Sequence, residues 1–185
     1  MGELKREENS ARPSSGRVFL KRQYLALPDL SAQLIFWPLT VIGVALDLWS
    51  KKAVFDWLER RGSVSIIDGF LRLVMALNDG AAFGLFSGHP CRLIVVSVVA
   101  LIVIFACFLF GGTKQRLVHV ALGLFAAGVC GNLYDRIFND GLVRDFIDVY
   151  YRQHHWPAFN VADSMLCIAV GLGVISCFWV PKRSL

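Results

Sequence analysis

The feature that most constrains this chain is a set of four long apolar segments. The clearest runs from Leu93 to Phe110 and has Ser97 as its one polar side chain. Segments of about 20 apolar residues are long enough to cross the hydrocarbon core of a bilayer. Leu34 to Leu48, Leu117 to Gly131 and Ala158 to Val180 have the same character with a few polar interruptions. The chain is 56% hydrophobic with a mean hydropathy of +0.56, which excludes an ordinary soluble domain. We therefore predict a mainly α membrane protein with four transmembrane helices.

The remaining segments define the predicted domain organisation. Residues 1–30 are basic and rich in Arg, Ser and Pro, which is typical of a disordered tail. Residues 31–181 form a single membrane domain, and residues 182–185 form a second short tail. Of the two long connections, 52–92 and 139–157, the first carries Asp68-Gly69 between β-prone runs, which is a strong hairpin signal. We expect a small β-hairpin or sheet on the membrane surface within residues 62–84.

The orientation of the spans is only weakly encoded by charge. Four spans place both termini on one side, and ten of the 19 Lys and Arg residues lie on that side. Residues 111–116 and 181–185 carry cations without acids, which favours a cytoplasmic position, whereas the pairs Lys51-Lys52 and Arg60-Arg61 favour the opposite. The net charge of +5 suits contact with anionic membrane lipids. Because the basic residues are scattered and no RNA-binding motif accompanies them, we predict no nucleic-acid partner.

Polar side chains gather at the ends of three spans. Successive spans alternate in direction, so these clusters fall at the same membrane level, beside both long connections. Ionisable groups in a membrane usually face a protein interior or a water-filled cavity and serve a function. The spans contribute Asp47, Lys51, Asn132, Asp135, Arg136, Asn160 and Asp163 to this predicted polar pocket. Asp145, Asn78 and Gly80 lie in the neighbouring connections; for the turn that contains Asn78 and Gly80, close approach of a ligand and plain turn geometry are equally compatible with the sequence.

Several of these residues also have a structural interpretation. Asp47 and Lys51 stand four apart and can form an interfacial ion pair, with Lys51 extending outward to water. Asp135 and Arg136 are adjacent and point in different directions on a helix. For these two residues a brace to another span and a contact with substrate are equally compatible with the sequence.

The acidic residues nearer the C-terminus leave similar alternatives. Asn160 and Asp163 are suited to capping the fourth span, because Asn is a favoured N-cap residue and an acid in the first turn suits the helix dipole. Asp145 and Asp148 are compatible with a solvated acidic edge.

Metal-binding signals are weak. His154-His155 is not accompanied by an HExxH motif or by Cys and His at ligand spacing, so we interpret this pair as interfacial histidines beside Trp156. The five cysteines form no CxxC pair. We assign them no metal, no disulfide and no cofactor.

Asp145 and Asp163 matter most if the fold brings them together. Two neighbouring carboxylates cannot both ionise easily, so one holds a proton while the other remains a base. An aspartic hydrolase needs such a pair. The alternatives are a small polytopic transporter or ion-binding protein that uses these aspartates with Asp47 and Asp135, or a structural assembly partner.

The order of these segments resembles the bacterial lipoprotein signal peptidase family, the type II signal peptidases. The resemblance covers about residues 40 to 180, with one departure in the approach to the third motif, which reads Ala126 to Cys130 here. Its motifs are DLWSK (Asp47 to Lys51), NDGAAFG (Asn78 to Gly84), GNLYDR (Gly131 to Arg136), VRDFID (Val143 to Asp148) and FNVADS (Phe159 to Ser164).

The resemblance implies an aspartic endopeptidase of the bacterial cytoplasmic (inner) membrane. It would remove the signal peptide from prolipoproteins, cutting before a diacylglyceryl-modified cysteine. The resemblance implies that Asp145 and Asp163 are the catalytic dyad and that the other pocket residues bind substrate or orient the dyad. It also implies cytoplasmic termini, an active site near the extracytoplasmic face, and globomycin-type inhibitors at that site. We expect a monomer with membrane lipids around it.

Overall fold

A computed structural model describes residues 27–80 and 87–178 of the chain. All four of its helices are long and apolar enough to cross a membrane, which confirms the four predicted spans. Most of the two predicted tails, and residues 81–84 of the predicted surface element, lie outside the described residues. The helices are α1 (Leu30–Leu58), α2 (Pro90–Phe110), α3 (Arg116–Phe138) and α4 (Val161–Phe178).

The first helix is longer than its apolar segment. Asp29 caps its start by accepting a hydrogen bond from the backbone N–H of Ala32 at 2.8 Å. The helix then continues to Leu58, so the connection predicted to begin at residue 52 begins later. An ion pair between Lys52 and Asp56 on the exposed side of this last stretch has the i,i+4 spacing that supports a helix.

Helix α3 is the centre of the bundle and packs against the other three helices. Small residues allow the close approach. A methyl group at Gly43 of α1 would lie 2.6 Å from the Cβ of Ala127, and one at Gly128 of α3 would lie 2.7 Å from the backbone oxygen of Ala162. Because lipid offers no hydrophobic gain for helix association, close van der Waals contact of this kind is what holds membrane helices together.

The surface element is a four-stranded antiparallel sheet in the order β1-β2-β3-β4. Strands β1 (Val64–Ile67) and β2 (Leu71–Asn78) form the predicted hairpin. Gly69 has φ +78° in its turn, a conformation that glycine adopts without strain. Strands β3 (Val143–Tyr151) and β4 (His154–His155) correct the sequence prediction, which treated residues 139–157 as a loop.

Strand β3 joins the sheet to the helix bundle. It pairs with β2, and the register shifts between Leu73 and Ala76. On its other side the backbone of Ile147 exchanges hydrogen bonds with Phe159, at 2.9 and 3.0 Å. Since Phe159 directly precedes the residues that begin α4, this bridge brings the start of the last span beside the middle of β3.

Candidate active site

The structure connects Asp145 and Asp163 through one residue, Asn160. The side-chain nitrogen of Asn160 donates to Asp145 Oδ1 at 2.6 Å, and its backbone N–H donates to Asp163 Oδ2 at 3.1 Å. Asn160 is fully buried. The two carboxylates, 18 positions apart in sequence, thus both accept hydrogen bonds from a single asparagine, one from its side chain and one from its backbone.

Asp163 lies in the first turn of α4 and takes part in a reciprocal cap. Its backbone N–H donates to the side-chain oxygen of Asn160 at 3.0 Å, while its own carboxylate accepts from the Asn160 backbone. Both contacts satisfy N–H groups that a helix start leaves without intrahelical partners. The other carboxylate oxygen accepts from Asn132 Nδ2 at 2.8 Å. The capping interpretation of Asn160 and Asp163 is therefore correct, and it coexists with their place beside Asp145.

Asp145 lies on β3 and is 1% exposed, so the alternative of a solvated acidic edge is wrong for this residue. Its second oxygen accepts from Asn78 Nδ2 at 2.9 Å. Burial raises the pKa of Asp145 to about 6; hydrogen bonds from Asn78 and Asn160 oppose this rise, and the negative charge of Asp163 adds to it. A carboxyl group with this pKa can exchange a proton near neutral pH.

The first surface connection contacts the site through Asn78 and Gly80. The Gly80 backbone N–H donates to Asn78 Oδ1 at 2.9 Å, which leaves the amide nitrogen of Asn78 directed at Asp145. The Gly80 carbonyl accepts from the Arg136 guanidinium at 3.0 Å. Arg136 is buried, its charge interacts with both Asp145 and Asp163, and its Nε has no hydrogen-bond partner within the described ranges.

Lys51 does not extend outward, which corrects the interfacial ion-pair prediction. Lys51 and Asp47 are both fully buried, with Nζ 2.7 Å from Asp47 Oδ2 and 3.5 Å from Asp135 Oδ2. The same ammonium donates to Asn132 Oδ1 at 2.8 Å, so Asn132 must turn its amide nitrogen toward Asp163. A charge buried in a membrane protein needs such partners, because water is absent.

Asp135 resolves the choice between brace and substrate contact in favour of the brace. It is fully buried and accepts from the Arg144 guanidinium at 2.6 Å and from the Arg144 backbone N–H at 3.0 Å. These bonds to Arg144 and the contact with Lys51 make Asp135 a link between α1, α3 and β3. Arg144 was not predicted as a site residue, although an arginine next to Asp145 in the fourth motif is a visible signal in the sequence.

Asp47 also reaches α4. Its Oδ1 accepts from the backbone N–H of Ala162 at 2.8 Å, so this carboxylate satisfies another N–H at the start of that helix. Gly131 permits the contact, since a methyl group there would lie 2.9 Å from the Asp47 carboxyl carbon. Gly131 is a further site residue that the sequence analysis did not single out.

The structure brings all ten predicted site residues into one connected set of polar contacts. Asp148 is not a member: it lies in a separate cluster with Arg72 and His155, is buried, and so does not form a solvated edge. His154 and His155 lie on the exposed short strand β4, as predicted for interfacial histidines. No group of three or more His, Cys, Asp or Glu side chains able to hold a metal ion occurs in the part of the chain that the structure describes.

These observations define a class of protein. At the polar end of four helices long enough to cross a membrane lie two carboxylates, a buried one on β3 and a half-buried one at the start of α4, which are held by amides and flanked by an arginine. A carboxylate pair that shares a proton can act as acid and base on a bound water and a carbonyl group. The fold is that of a multi-pass membrane protein, and its polar end holds the two acidic groups that an aspartic hydrolase requires.

Comparison with known proteins identifies the family. The family model described as signal peptidase (SPase) II matches residues 39–179. The lipoprotein signal peptidase of Geobacter sulfurreducens is 40% identical over 152 residues, covering 80% of this chain and 94% of that protein. The corresponding protein of Geobacter metallireducens is also 40% identical, covering 75% and 86%. The chain belongs to the signal peptidase II family.

Solved structures agree with this assignment. A bacterial membrane enzyme determined by the in meso method at 1.9 Å resolution matches with a TM-score of 0.68 and 27% identity, covering 88% of this chain and 99% of that one. The predicted fold class, family and peptidase function are confirmed. Nothing in these comparisons favours the transporter alternative.

Proposed function

We propose that Asp145 and Asp163 are the catalytic pair with which this peptidase removes the signal peptide from diacylglyceryl-modified prolipoproteins, cutting before the lipidated cysteine. The observation that carries the proposal is the double contact of Asn160, 2.6 Å from one carboxylate and 3.1 Å from the other. It fixes the relative position of the two acids while leaving both within the polar end of the bundle.

In the proposed mechanism one aspartate, ionised, takes a proton from a bound water. The other, protonated, hydrogen-bonds the carbonyl of the scissile peptide. The first aspartate then passes the proton that it took from water to the leaving nitrogen, so both acids return to their starting states. The negative charge that develops on the carbonyl oxygen is stabilised by donors already in place. Arg136 is suited to this role or to holding substrate backbone, because its buried Nε lacks a partner within the described residues.

The proposed placement in the cell follows from the lipid-linked substrate. Acyl chains attached to the cysteine stay in the bilayer while the peptide bond reaches the polar pocket. We therefore place the chain in the bacterial cytoplasmic membrane, as a monomer with both termini in the cytoplasm and the site near the extracytoplasmic face. Globomycin-type inhibitors would bind at the same site and compete with the substrate.

The direct test is cleavage of a diacylglyceryl-modified lipobox peptide by the purified full-length protein, with and without a chelator. Asp145→Asn and Asp163→Asn are expected to abolish cleavage while the protein retains its thermal unfolding transition. Asp56→Asn, which removes an acid from an exposed ion pair, is the matched control and should cleave normally. Full activity in either dyad variant would refute the pair. Ion flux without hydrolysis would support a transporter instead.

Orientation can be tested independently of activity. In a background with the five native cysteines replaced by alanine, a cysteine is introduced at Ser65 of β1 or at Lys114 between α2 and α3. A membrane-impermeant thiol reagent added to intact spheroplasts should label the variant at Ser65 and spare the one at Lys114. The reverse labelling pattern would invert the proposed topology.

A further inference from the structure

A second polar cluster lies on the surface sheet, outside the proposed active site. Arg72 Nε donates to Asp148 Oδ2, and His155 Nδ1 lies 3.1 Å from Asp148 Oδ1. The ring of Tyr150 stacks on His155 with centroids 5.3 Å apart and lies 5.1 Å from the Arg72 guanidinium. The cluster therefore joins β2, β3 and β4 around a single buried acid.

Asp148 stays charged in this setting. Burial acts to raise the pKa of Asp148, but the hydrogen bonds from His155 and Arg72 outweigh it and hold the pKa below its ordinary value. At neutral pH Asp148 and Arg72 thus form an ion pair whose acidic side chain is 6% exposed. Leaving such an acid without its cation is unfavourable, because its lost hydration would not be replaced.

If β2 and β3 paired without interruption, Arg72 and Asn78 could not both face their partners on β3. Asp145 and Asp148 are three residues apart on β3, so they lie on opposite faces of the strand. Arg72 and Asn78 are six apart on β2 and would share one face of a regular strand. With Arg72 opposite Asp148, an uninterrupted register would place Leu77 instead of Asn78 on the face of Asp145.

The observed register shift removes this mismatch. Arg72 pairs with Asp148 on one side of the shift, and Asn78 pairs with Val143 on the other side. The extra residue between Leu73 and Ala76 moves the following side chains of β2 to the opposite face relative to β3. As a result Arg72 keeps its contact with Asp148 while Asn78 donates to Asp145 at 2.9 Å.

We propose that Arg72, Asp148 and His155 are positioning residues that fix the register of β2 against β3 and thereby hold the Asn78 amide against Asp145. A strand slip of one residue turns every side chain to the opposite face. Such a slip would separate Arg72 from Asp148 and withdraw Asn78 from Asp145 together. This inference rests on the proposed catalytic role of Asp145.

The test is a double-mutant cycle on peptide cleavage in the full-length protein. Asp148→Asn and Asn78→Ala are each expected to lower kcat by roughly 10- to 100-fold, the scale of small misplacements of a catalytic group, with KM little changed. If Asp148 acts through Asn78, the double variant should be no slower than Asn78→Ala alone. Full multiplication of the two losses, or wild-type kcat in Asp148→Asn, would overturn the proposal.

A pH profile separates positioning from mere support of the fold. Loss of the Asn78 hydrogen bond removes an influence that lowers the pKa of Asp145. The limb of the kcat profile governed by Asp145 should therefore move to higher pH in both Asp148→Asn and Asn78→Ala. An unchanged profile with reduced kcat would contradict the proposal.

Controls make each outcome decisive. Arg72→Gln repeats the test from the other partner, and Arg72→Lys should recover part of the lost activity because it restores a cation. Asp56→Asn removes an exposed ion pair and should leave kcat unchanged. Failure of both Asp148→Asn and Arg72→Gln to fold would assign the cluster a structural role and end the proposal. Activity in Asp145→Asn would instead refute the catalytic pair.

Discussion

Two adjacent lysines provide a matched test of how this membrane protein uses buried charge. Lys51 and Lys52 each pair with an aspartate at i,i+4 spacing, at 2.7 and 2.8 Å. Lys51 and its partner are fully buried, whereas the side chains of Lys52 and Asp56 are 73% and 62% exposed. In sequence both lysines have an acid four residues away, Asp47 before Lys51 and Asp56 after Lys52, and the fold decides which pair is buried.

Lys51→Met is expected to destabilise the protein strongly. It leaves the carboxylate of Asp47 without its cation and weakens the neutralisation of Asp135. Breaking a buried ion pair costs about 3–5 kcal/mol, a large part of a total stability of roughly 5–15 kcal/mol. Lys52→Met removes an exposed pair, for which losses stay below about 1 kcal/mol.

The assay is thermal or denaturant unfolding of both variants in the same detergent, followed by peptide cleavage. Lys51→Met should also lower kcat beyond the loss of folded protein, because Lys51 orients the Asn132 amide that donates to Asp163. Equal unfolding curves for the two variants would refute the view that the buried pair stabilises the bundle. Normal kcat in folded Lys51→Met would refute its link to Asp163.

Two other predictions concern packing and protonation. Gly131→Ala places a methyl group 2.9 Å from the Asp47 carboxyl carbon, whereas Gly171→Ala meets nothing within 4 Å. Both variants gain similar helix propensity, so Gly131→Ala should be less stable than Gly171→Ala by about 2 kcal/mol, measured by unfolding. Because the pKa of Asp145 is raised to about 6, this carboxyl contributes stability below about pH 4 that is lost as the pH rises through about 6. Unfolding curves should therefore show a wild-type stability decrease of roughly 3 kcal/mol over that window that is missing in Asp145→Asn, and an identical pH dependence in both proteins would contradict the raised pKa.

Much of the fold could be predicted because the strongest signals are local. Four apolar segments of spanning length became four helices, and the Asp68-Gly69 turn produced the hairpin β1-β2. Strand β3 was missed for a physical reason. All its residues except the last, Tyr151, are buried or half-buried. Val143 to Tyr151 therefore lacks the clean alternation by which a half-buried strand is recognised in sequence.

Most members of the site were predictable, with Arg144 and Gly131 as exceptions, whereas the hydrogen bonds and ion pairs that connect them were not. Alternating span direction was enough to bring the polar clusters to one level, and all ten residues meet there. The sequence could not reveal that Lys51 is buried, because helical spacing to Asp47 is identical for an exposed and a buried pair. Nor could it reveal the contact of Asp47 with the Ala162 backbone, which depends on the approach of α4 past Gly131.

The reciprocal cap at the start of α4 has a consequence for biogenesis. Asp163 is the last site residue to leave the ribosome, and its carboxylate is positioned by the same two bonds that begin the final helix. The bridge from Phe159 to β3 also brings Asn160 beside Asp145. A chain whose last span has not yet docked on β3 therefore lacks the contacts that hold the proposed catalytic pair together.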